Sequence, residues 1–428
     1  MTTAIVQADD FSGAAEVAHQ FSDCGLATRI LLTTTRPSAS TPVAGDCDVI
    51  VFDTHSRGMS PEAAAATVRD AVSHAATDNP SLVFKKTDSL WRGNIAAELS
   101  ALAGLGYHVV LAGAFPAMER TVVDGNPLAS GLALRASGLW HAEPTAPPED
   151  LAELFPVDGG VRFVALDDVR SADLKVRLAS ALSGGVPTIV VVDGETDSDL
   201  AAVVDAVAAL GFAAAGRPVA LAGTGQLAGI FARRLAGGSA HKTQSLGRAA
   251  EPSAVRHGGR GVLAVVGSAS PAARRQVEGL AAVGFDVVCV GPGSEGPHAE
   301  GPRAADLRAA LGQGRPVALA VAETPVDPSR SAAIIARLAL LAQEIEQGLR
   351  PDLILTGGET AREVLDVLGV TSLVPRIAVQ HGAVVSAADD GRLVATKPGS
   401  FGDEHVLAQL YQAIRSHTST PRAGLPAR

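Results

Sequence analysis

Residues 3–16 read TAIVQADDFSGAAE, and this stretch is the clearest indication of the fold. Residues 3–8 are mostly apolar without alternation, a pattern typical of a strand buried on both faces of a sheet. Two adjacent carboxylates, Asp9 and Asp10, follow that strand, and an Ala-rich helical stretch follows them. The stretch therefore predicts a strand–loop–helix unit that carries acidic side chains at the carboxyl end of a buried strand.

The same alternation of apolar runs and Ala-rich helical stretches continues along most of the chain. Further predicted strands lie at 29–33, 49–53, 81–85, 108–112, 162–166, 188–192, 218–222, 262–267, 286–290, 316–321, 353–356 and 377–379. Predicted helices of the first half lie at 13–24, 61–75, 95–103, 174–182, 199–210 and 226–235. A late pair of strands, at 383–386 and 393–397, is separated by a hairpin-like turn. Buried strands that alternate with helices predict an α/β protein with mainly parallel sheets.

The chain of 428 residues is too long for one ordinary domain. Its periodicity fades into Gly, Ser, Arg and Pro between residues 236 and 260. We therefore predict two α/β domains, at 1–240 and 261–428, joined by a linker at 241–260. Ligands bind in interdomain clefts and at the carboxyl ends of parallel strands, so the active site is expected in the interdomain cleft.

Composition excludes several classes of function. The formal net charge is −10 and no run of Lys and Arg is present, so no nucleic-acid partner is expected. No apolar run reaches about 18 residues and no basic leader precedes one, which predicts no membrane segment and a cytoplasmic location. The three cysteines, Cys24, Cys47 and Cys289, lack CxxC spacing and are expected to be buried, reduced thiols. No His/Cys spacing indicates zinc.

The first-half polar cluster is KKTDSLWRGN at residues 85–94, directly after a predicted strand. The chain has only five lysines, and two of them lie here, which favours a binding role over an ordinary exposed loop. Lys86 and Arg92 are candidates to bind a substrate carboxylate, because the guanidinium group offers a bidentate fork. A third loop, GAFPAMERT at 113–121, brings Arg120 toward the same edge but is a weak indication alone.

The acidic pair at the end of the first strand has two interpretations. Asp9 and Asp10 are well placed to hold substrate hydroxyls or a metal. The alternative is that they cap the following helix, although Ser12 could do that alone. The position at the end of a buried strand favours the functional interpretation.

The second-half motifs are glycine loops that follow strands. Ser268 precedes Ser270 and Pro271, a helix start whose free N–H groups suit an anion. Gly357 and Gly358 allow a close backbone approach to phosphates, and the residues after them include Thr360 and Glu363 at capping-box spacing. The loop KPGSFGD at 397–403 carries a rare lysine beside two glycines and Asp403. Plain capping and a plain Gly-rich turn remain alternatives for these segments.

Taken together, these segments resemble the four-carbon acid sugar kinase family, which includes threonate, erythronate and 3-oxo-tetronate kinases. The similar motifs are ADDFSGA, KKTDSLWRGN, AFPAMERT, VVVDGETDSDL, GSAS, GGETA and KPGSFG, and they span nearly the whole chain. Two departures lie in the first half: Leu90-Trp91 stands where the family has Thr-Leu, and Glu119 where it has Gly.

The resemblance implies a kinase that transfers phosphate from ATP, with Mg²⁺, to a terminal hydroxyl of a four-carbon sugar acid. It implies a substrate-binding first domain and a nucleotide-binding second domain. The implied substrate residues are Asp9, Asp10, Lys86, Asp88, Arg92 and Arg120. The implied ATP-binding residues are Ser268, Gly357, Gly358, Glu359, Thr360, Gly399 and Gly402. Asp88 and Asp403 are the candidates for a catalytic base, contributing modestly to such a transfer.

Two alternative functions are weaker. An NAD-linked hydroxy-acid dehydrogenase would need a strand–GxGxxG–helix unit, and the GxGxxG match at 291–296 is not followed by a helix. A non-catalytic sugar-acid sensor would tolerate decay of the glycine loops, which are intact. No GxxxxGK[ST] motif is present, so a P-loop kinase is not expected. The sequence leaves open the acid that is phosphorylated and the oligomeric state, a homo-oligomer included.

Overall fold

The computed structural model describes residues 4–32, 47–75, 82–140, 145–155, 161–238, 261–291, 304–322, 328–380, 382–399 and 402–419. The chain forms two compact units, Met1–Ala250 and Glu251–Arg428. The linker predicted at 241–260 lies outside the described residues. None of the helices in the described ranges is long and apolar enough to cross a membrane.

The first unit is built on a parallel sheet of mostly buried strands. The strands of this unit are β1 (Ala4–Ala8), β2 (Thr28–Leu32), β3 (Val49–Asp53), β4 (Leu82–Lys86), β5 (His108–Ala112), β6 (Arg120–Val123), β7 (Asn126–Ala129), β8 (Leu132–Ala133), β9 (Val161–Val164), β10 (Ile189–Val192), β11 (Ala213–Ala214) and β12 (Arg217–Gly223). The parallel sheet has the order β2-β3-β1-β4-β12-β5-β10-β9. Strands β6–β8 form a separate antiparallel sheet that the sequence did not predict.

Seven helices are described in the first unit. They are α1 (Phe11–Asp23), α2 (Pro61–Ala75), α3 (Ile95–Gly104), α4 (Leu166–Val169), α5 (Leu174–Ala181), α6 (Asp197–Ala209) and α7 (Gly225–Gly238). The N-cap of α1 is Asp10, whose Oδ1 accepts a hydrogen bond from the N–H of Gly13 at 3.0 Å. Ser12 lies inside the helix, so the suggestion that Ser12 provides the cap is wrong.

The second unit has a mixed sheet. Its strands are β13 (Val262–Val266), β14 (Asp286–Val290), β15 (Val317–Val321), β16 (Asp352–Thr356), β17 (Ser372–Gln380), β18 (Ala383–Ala388) and β19 (Leu393–Lys397). Its helices are α8 (Pro271–Ala282), α9 (Ala304–Gly312), α10 (Pro328–Glu346), α11 (Gly358–Val367) and α12 (Val406–Ser419). The strand order is β14-β15-β13-β16-β19-β18-β17. The predicted late hairpin is confirmed, because β18 and β19 pair antiparallel, while β19 pairs parallel with β16.

The two units wind their first four strands in the same way. In each unit the spatial order of those strands is second, third, first, fourth. The helix after β1 leads away to β2 on one side of the sheet, and the helix after β4 leads away to β5 on the other. The corresponding divergence in the second unit falls between β13 and β16. Such a switch point leaves a crevice at the carboxyl ends of two neighbouring strands, where α/β sheets bind ligands. The predicted fold class, two mainly parallel α/β domains, is confirmed.

The cysteines do not all match their prediction. Cys24 and Cys47 are partly buried free thiols, but Cys289 is exposed. Cys289 lies on β14, which is at the end of the second unit's strand order and so has one edge without a neighbouring strand among the described residues. Predicting Cys289 as buried was therefore wrong.

Candidate active site

An arginine that the sequence analysis missed lies at the centre of the first unit's switch point. The guanidinium group of Arg57 donates to Asp9 through Nε at 2.8 Å and Nη2 at 3.1 Å. Its Nη2 also lies 3.0 Å from Oδ1 of Asp10 and 3.6 Å from Oδ1 of Asp88. Arg57 follows β3, while the three aspartates follow β1 and β4, so the contact exists because β3 and β4 both flank β1. Three predicted substrate residues are thus brought together around one cation.

The charges of this cluster hold its carboxylates in their ionised form. Burial raises the pKa of Asp9, but Arg57 and Lys85 lower it by more, so the pKa lies below its usual range. Burial likewise opposes ionisation of Asp88, and the hydrogen bonds from Arg92 together with the charge of Arg57 place its pKa well below the usual value. Both aspartates are therefore anions at neutral pH, able to accept hydrogen bonds and unable to donate them.

Asp88 is occupied by its own loop. Its Oδ2 accepts hydrogen bonds from the backbone N–H of Leu90 at 3.1 Å and from Nε of Arg92 at 2.8 Å. Its Oδ1 accepts from Nη2 of Arg92 at 2.8 Å. These contacts and the low pKa make Asp88 a weak proton acceptor. The geometry favours a role for Asp88 in holding Arg57 and Arg92, while its role as a catalytic base stays a prediction.

Lys86 is buried beside a second missed residue, Glu16. Its Nζ donates to the carbonyl of Thr87 at 3.1 Å and lies 3.7 Å from Oε2 of Glu16. The Glu16 carboxylate lies against Gly225, where a Cβ atom would overlap it, at the start of α7. A helix start stabilises a negative charge, so Glu16 is well placed there. Through Glu16, Lys86 thereby connects the end of β4 to α7.

Arg120 lies at the start of β6 and approaches the cluster from another loop. Its Nη1 donates to Oγ of Ser89, and its Nε is buried with no hydrogen-bond acceptor among the described residues. Burial lowers the pKa of Arg120, and the charge of Asp88 partly offsets this effect. A buried guanidinium N–H without an acceptor is costly, which suits a group whose acceptor is a ligand.

The loop that carries Arg120 is fastened at both ends. The N–H of Phe115 donates to the carbonyl of Arg120 at 2.7 Å, and Oγ1 of Thr224 donates to the carbonyl of Ala114 at 2.7 Å. Glu119, in between, has φ of +54°, the left-handed region. The family that the sequence resembles has glycine at this position. Glycine adopts a positive φ without strain, whereas Glu119 is strained there.

A buried polar ladder lies beneath the cluster. Nζ of Lys85 lies 2.9 Å from Oε2 of Glu98, and Oε1 of Glu98 accepts a hydrogen bond from Oγ of Ser56. Oγ of Ser56 lies 2.8 Å from Oγ1 of Thr54, and that hydroxyl donates to the carbonyl of Ala8 at 2.8 Å. Burial raises the pKa of Glu98, and Lys85 partly offsets this shift. The ladder ties the carboxyl ends of β1, β3 and β4 together.

Trp91 marks one departure from the related family, and it is a core residue. The side chain is 4% exposed and its backbone has φ of +66°. A Cβ atom on Gly113 would overlap the indole, so Gly113 makes room for Trp91. The indole therefore packs beneath the loop and does not add a polar group to the site.

In the second unit, three loops converge at the switch point. The N–H of Gly357 donates to the carbonyl of Lys397 at 3.0 Å. A Cβ atom on Gly399 would lie 3.5 Å from Oγ of Ser268 and 3.9 Å from Cα of Gly357. Gly357 has φ of +86°, which a residue with a side chain rarely adopts. Three of the predicted nucleotide residues are thus neighbours, and their surfaces are mainly backbone.

Helix starts in the second unit only partly match expectation. Ser270 is the N-cap of α8, with Oγ accepting from the N–H of Ala273 at 3.2 Å, as predicted. The N-cap of α11 is Gly357, without a side-chain cap, so the predicted capping box of Thr360 and Glu363 is wrong. Thr360 instead lies in the first turn, packed where a Cβ atom on Gly267 would overlap it.

The remaining predicted residues of the second unit are more exposed. Glu359 is exposed in the first turn of α11. Gly402 has φ of +82° and precedes Asp403, whose Oδ1 accepts from the N–H of His405 at 2.9 Å. Hydrogen bonds from Gln380 and His405 hold the pKa of Asp403 below its usual value. Asp403 therefore shapes the turn before α12, and its role as a base stays a prediction.

Lys397 is the buried cation of this second site. Its side chain is 3% exposed, and Nζ donates to the carbonyl oxygens of Pro398 at 2.8 Å and Gly399 at 3.1 Å. Within the described ranges, no carboxylate forms an ion pair with Lys397. Burial lowers the pKa of Lys397 to about 8.

Comparison with known proteins identifies the domains. A family model described as a sugar-binding N-terminal domain matches residues 4–230, and one described as a nucleotide-binding C-terminal domain matches residues 263–407. A D-threonate kinase from Cupriavidus necator is 34% identical over 426 residues, covering 96% of this chain and 97% of the relative. A D-threonate kinase from Salmonella typhimurium is 29% identical, covering 94% and 96%. A 3-oxo-tetronate kinase from Methylobacterium radiotolerans is 29% identical, covering 92% and 95%.

A solved structure agrees with the fold. A protein from Salmonella typhimurium LT2, provisionally described as a tRNA synthase, superimposes with a TM-score of 0.75 at 22% identity, covering 97% of this chain and 99% of that one. At this identity the likeness shows the fold alone. The kinase relatives favour the kinase prediction over the dehydrogenase and sensor alternatives.

Proposed function

This chain belongs to the four-carbon acid sugar kinase family and is a kinase, and we propose that it transfers the γ-phosphoryl group of ATP to a terminal hydroxyl of a four-carbon sugar acid. Threonate, erythronate and 3-oxo-tetronate are the candidate acids, after the names of its relatives. The observation that carries the proposal is the pairing of a charge-dense switch point in one unit with a glycine-lined switch point in the other.

The first unit offers the groups that a sugar acid needs. A carboxylate is best bound by guanidinium and ammonium groups, and Arg120 has a buried Nε without an acceptor among the described residues. Lys86 adds a positive charge at the carboxyl end of β4. The substrate hydroxyls would donate to the carboxylate oxygens of Asp9 and Asp10. Arg57 balances the aspartates, so that an anionic substrate is not repelled.

The second unit offers backbone in place of side chains. Gly357 and Gly399 leave room for phosphate oxygens, Ser268 supplies a hydroxyl, and the start of α11 presents N–H groups. A bound Mg²⁺ ion would keep several of its waters and be held chiefly by the phosphates. Glu359 is an exposed carboxylate that could approach the ion, and the bound ion would neutralise phosphate charge.

Proton removal contributes least to this reaction. Phosphoryl transfer depends mainly on alignment and charge neutralisation, and a base increases the rate about 10²–10⁴-fold. We keep Asp88 and Asp403 as candidate bases. Because Asp88 already accepts from Arg92 and lies near Arg57, its substitution is expected to disturb substrate binding as well as turnover.

The test is a coupled ADP-release assay with D-threonate, L-threonate, D-erythronate and 3-oxo-tetronates. The Arg120→Ala variant should raise KM for the acid about 10- to 100-fold with a smaller change in kcat. Arg234→Ala is the matched control, because Arg234 forms an exposed pair with Asp205 in the same unit. Absence of ADP release with every acid, or an equal effect of the two variants on KM, would contradict the proposed substrate site.

A further inference from the structure

Lys397 has a placement that neither packing nor ion pairing explains. Lys397 is the last residue of β19, and it pairs with Thr356, the last residue of β16. Its carbonyl accepts from the N–H of Gly357, and its ammonium group donates to the carbonyl oxygens of the next two residues, Pro398 and Gly399. The ammonium group therefore lies directly beneath the loops of the proposed nucleotide site.

The cation is costly where it lies. Moving an ammonium group out of water is unfavourable unless an anion or a full set of hydrogen bonds replaces the lost hydration. An ammonium group has three donors, and two carbonyl oxygens are its acceptors in the described part of the chain. Other buried lysines differ: Lys85 faces Glu98 and Lys86 lies near Glu16. An apolar side chain would fill this position at a lower free energy.

We propose that Lys397 binds the phosphate groups of the nucleotide directly. Gly399 and Gly357 have no side chains that would stand between a phosphate group and the loop that the ammonium group contacts. Nζ would then exchange a carbonyl acceptor for a phosphate oxygen, a stronger, charge-assisted bond. This inference rests on the proposed nucleotide site and adds to it the one side chain that supplies a full positive charge.

The test is isothermal titration of the full chain with ADP, ATP and adenosine. The Lys397→Met variant removes both the charge and the donors, while Lys397→Gln keeps N–H donors for the two loop carbonyls and removes only the charge. Both variants should bind ADP and ATP about 10- to 100-fold more weakly than the parent chain. Adenosine, which has no phosphate, should bind all three proteins alike.

Two controls separate binding from folding. Lys175→Met removes an exposed lysine from α5 in the first unit and should leave ADP affinity unchanged. Thermal denaturation should show that Lys397→Met is at least as stable as the parent chain, because a purely structural lysine would lose stability and affinity together.

The outcomes distinguish the two proposals. If the parent chain binds ADP and Lys397→Gln binds it equally well, the inference on Lys397 is overturned while the nucleotide site stands. If the variants lose adenosine affinity as much as ADP affinity, Lys397 acts through the shape of the loop and the inference is also overturned. If the parent chain binds neither ADP nor ATP, the proposed function itself fails.

Discussion

The two switch points of this molecule have the same winding and opposite chemistry. In the first unit Arg57, Arg92 and Lys85 each lie against a carboxylate. In the second unit the converging loops present backbone, and Lys397 has only carbonyl oxygens as acceptors in the described residues. The same topology can therefore hold a site made of paired side-chain charges or one made of main-chain groups. The difference also means that removing a cation should have opposite effects on stability in the two units.

The physical basis is the cost of an uncompensated buried charge. Removing one member of a buried ion pair leaves its partner without compensation, which is strongly destabilising. Removing a buried charge that has no counter-ion relieves a cost instead. Both tryptophans, Trp91 and Trp140, belong to the first unit, so tryptophan fluorescence monitors that unit alone.

The largest expected effect is from Lys85→Met. The substitution leaves Glu98, which is 1% exposed, without its counter-ion, and should lower the free energy of unfolding of the first unit by about 3–5 kcal/mol. Urea denaturation followed by tryptophan fluorescence measures the change. The double variant Lys85→Met/Glu98→Leu should recover most of the loss, and a double variant as unstable as the single one would show that the pair is not the cause.

Next in size is Gly113→Ala, which tests close packing in the first unit. The added methyl group overlaps the indole of Trp91 and should lower the free energy of unfolding by about 1–3 kcal/mol. Circular dichroism during urea denaturation measures it without relying on Trp91. Introducing Trp91→Leu into the Gly113→Ala protein should cost less than Trp91→Leu in the parent chain. Equal costs in the two backgrounds would mean that Gly113 does not accommodate the indole.

The opposite sign is expected for Lys397→Met. The pKa of Lys397 is about 8 in the folded chain and 10.5 for an ordinary lysine, so the unfolded chain binds more protons between those values. Stability of the parent chain therefore rises with pH across that window, and the cost of the charge is fully present below it. At pH 7 the variant should be more stable by about 1–2 kcal/mol, and by pH 10.5 the difference should nearly vanish.

Hydrogen exchange of peptides covering residues 393–399, at pH 7 and again near pH 10, measures that difference locally in the second unit. Comparing variant with parent at each pH cancels every other titrating group that the two share. A variant that is less stable at pH 7 would refute the contrast between the units.

The smallest effect is expected at Glu119, where the strain is in the backbone and not in a charge. Glu119→Gly removes the strain of holding a side chain at φ of +54° and should raise the free energy of unfolding by no more than about 1 kcal/mol. Glu119→Ala keeps the strain and loses the hydrogen bond to Ser130, so it should be less stable than the parent. Urea denaturation followed by tryptophan fluorescence ranks the three proteins by their free energy of unfolding. Equal values for the Glu119→Ala and Glu119→Gly variants would show that backbone strain is not the cause.

The strands and the glycine loops that follow them were predictable because their signals are local. A continuous apolar run such as 49–53 indicates a buried strand by itself, and glycines such as Gly357 are themselves the feature that permits a close approach. Arg57 was not predictable, since its contact with Asp9 depends on the strand order of the sheet. The same holds for Glu16, which meets Lys86 only after α1 and β4 have packed.

The failures have physical causes as well. The sheet formed by β6–β8 was missed because its strands are only two to four residues long, below the length at which alternation can be seen. The prediction of a capping box at Thr360 was wrong because Gly357, which has a positive φ, is the N-cap and the helix begins before Thr360. Spacing within a motif does not specify where the first helical turn begins.

The ladder of Lys85, Glu98, Ser56 and Thr54 also constrains how this sequence can drift. Each of these side chains is a hydrogen-bond or ion-pair partner of the next. A substitution at one position therefore leaves its partner unsatisfied until the partner changes as well. We expect mutational scans of these four positions to show strong epistasis, with viable alternatives found as pairs or larger sets.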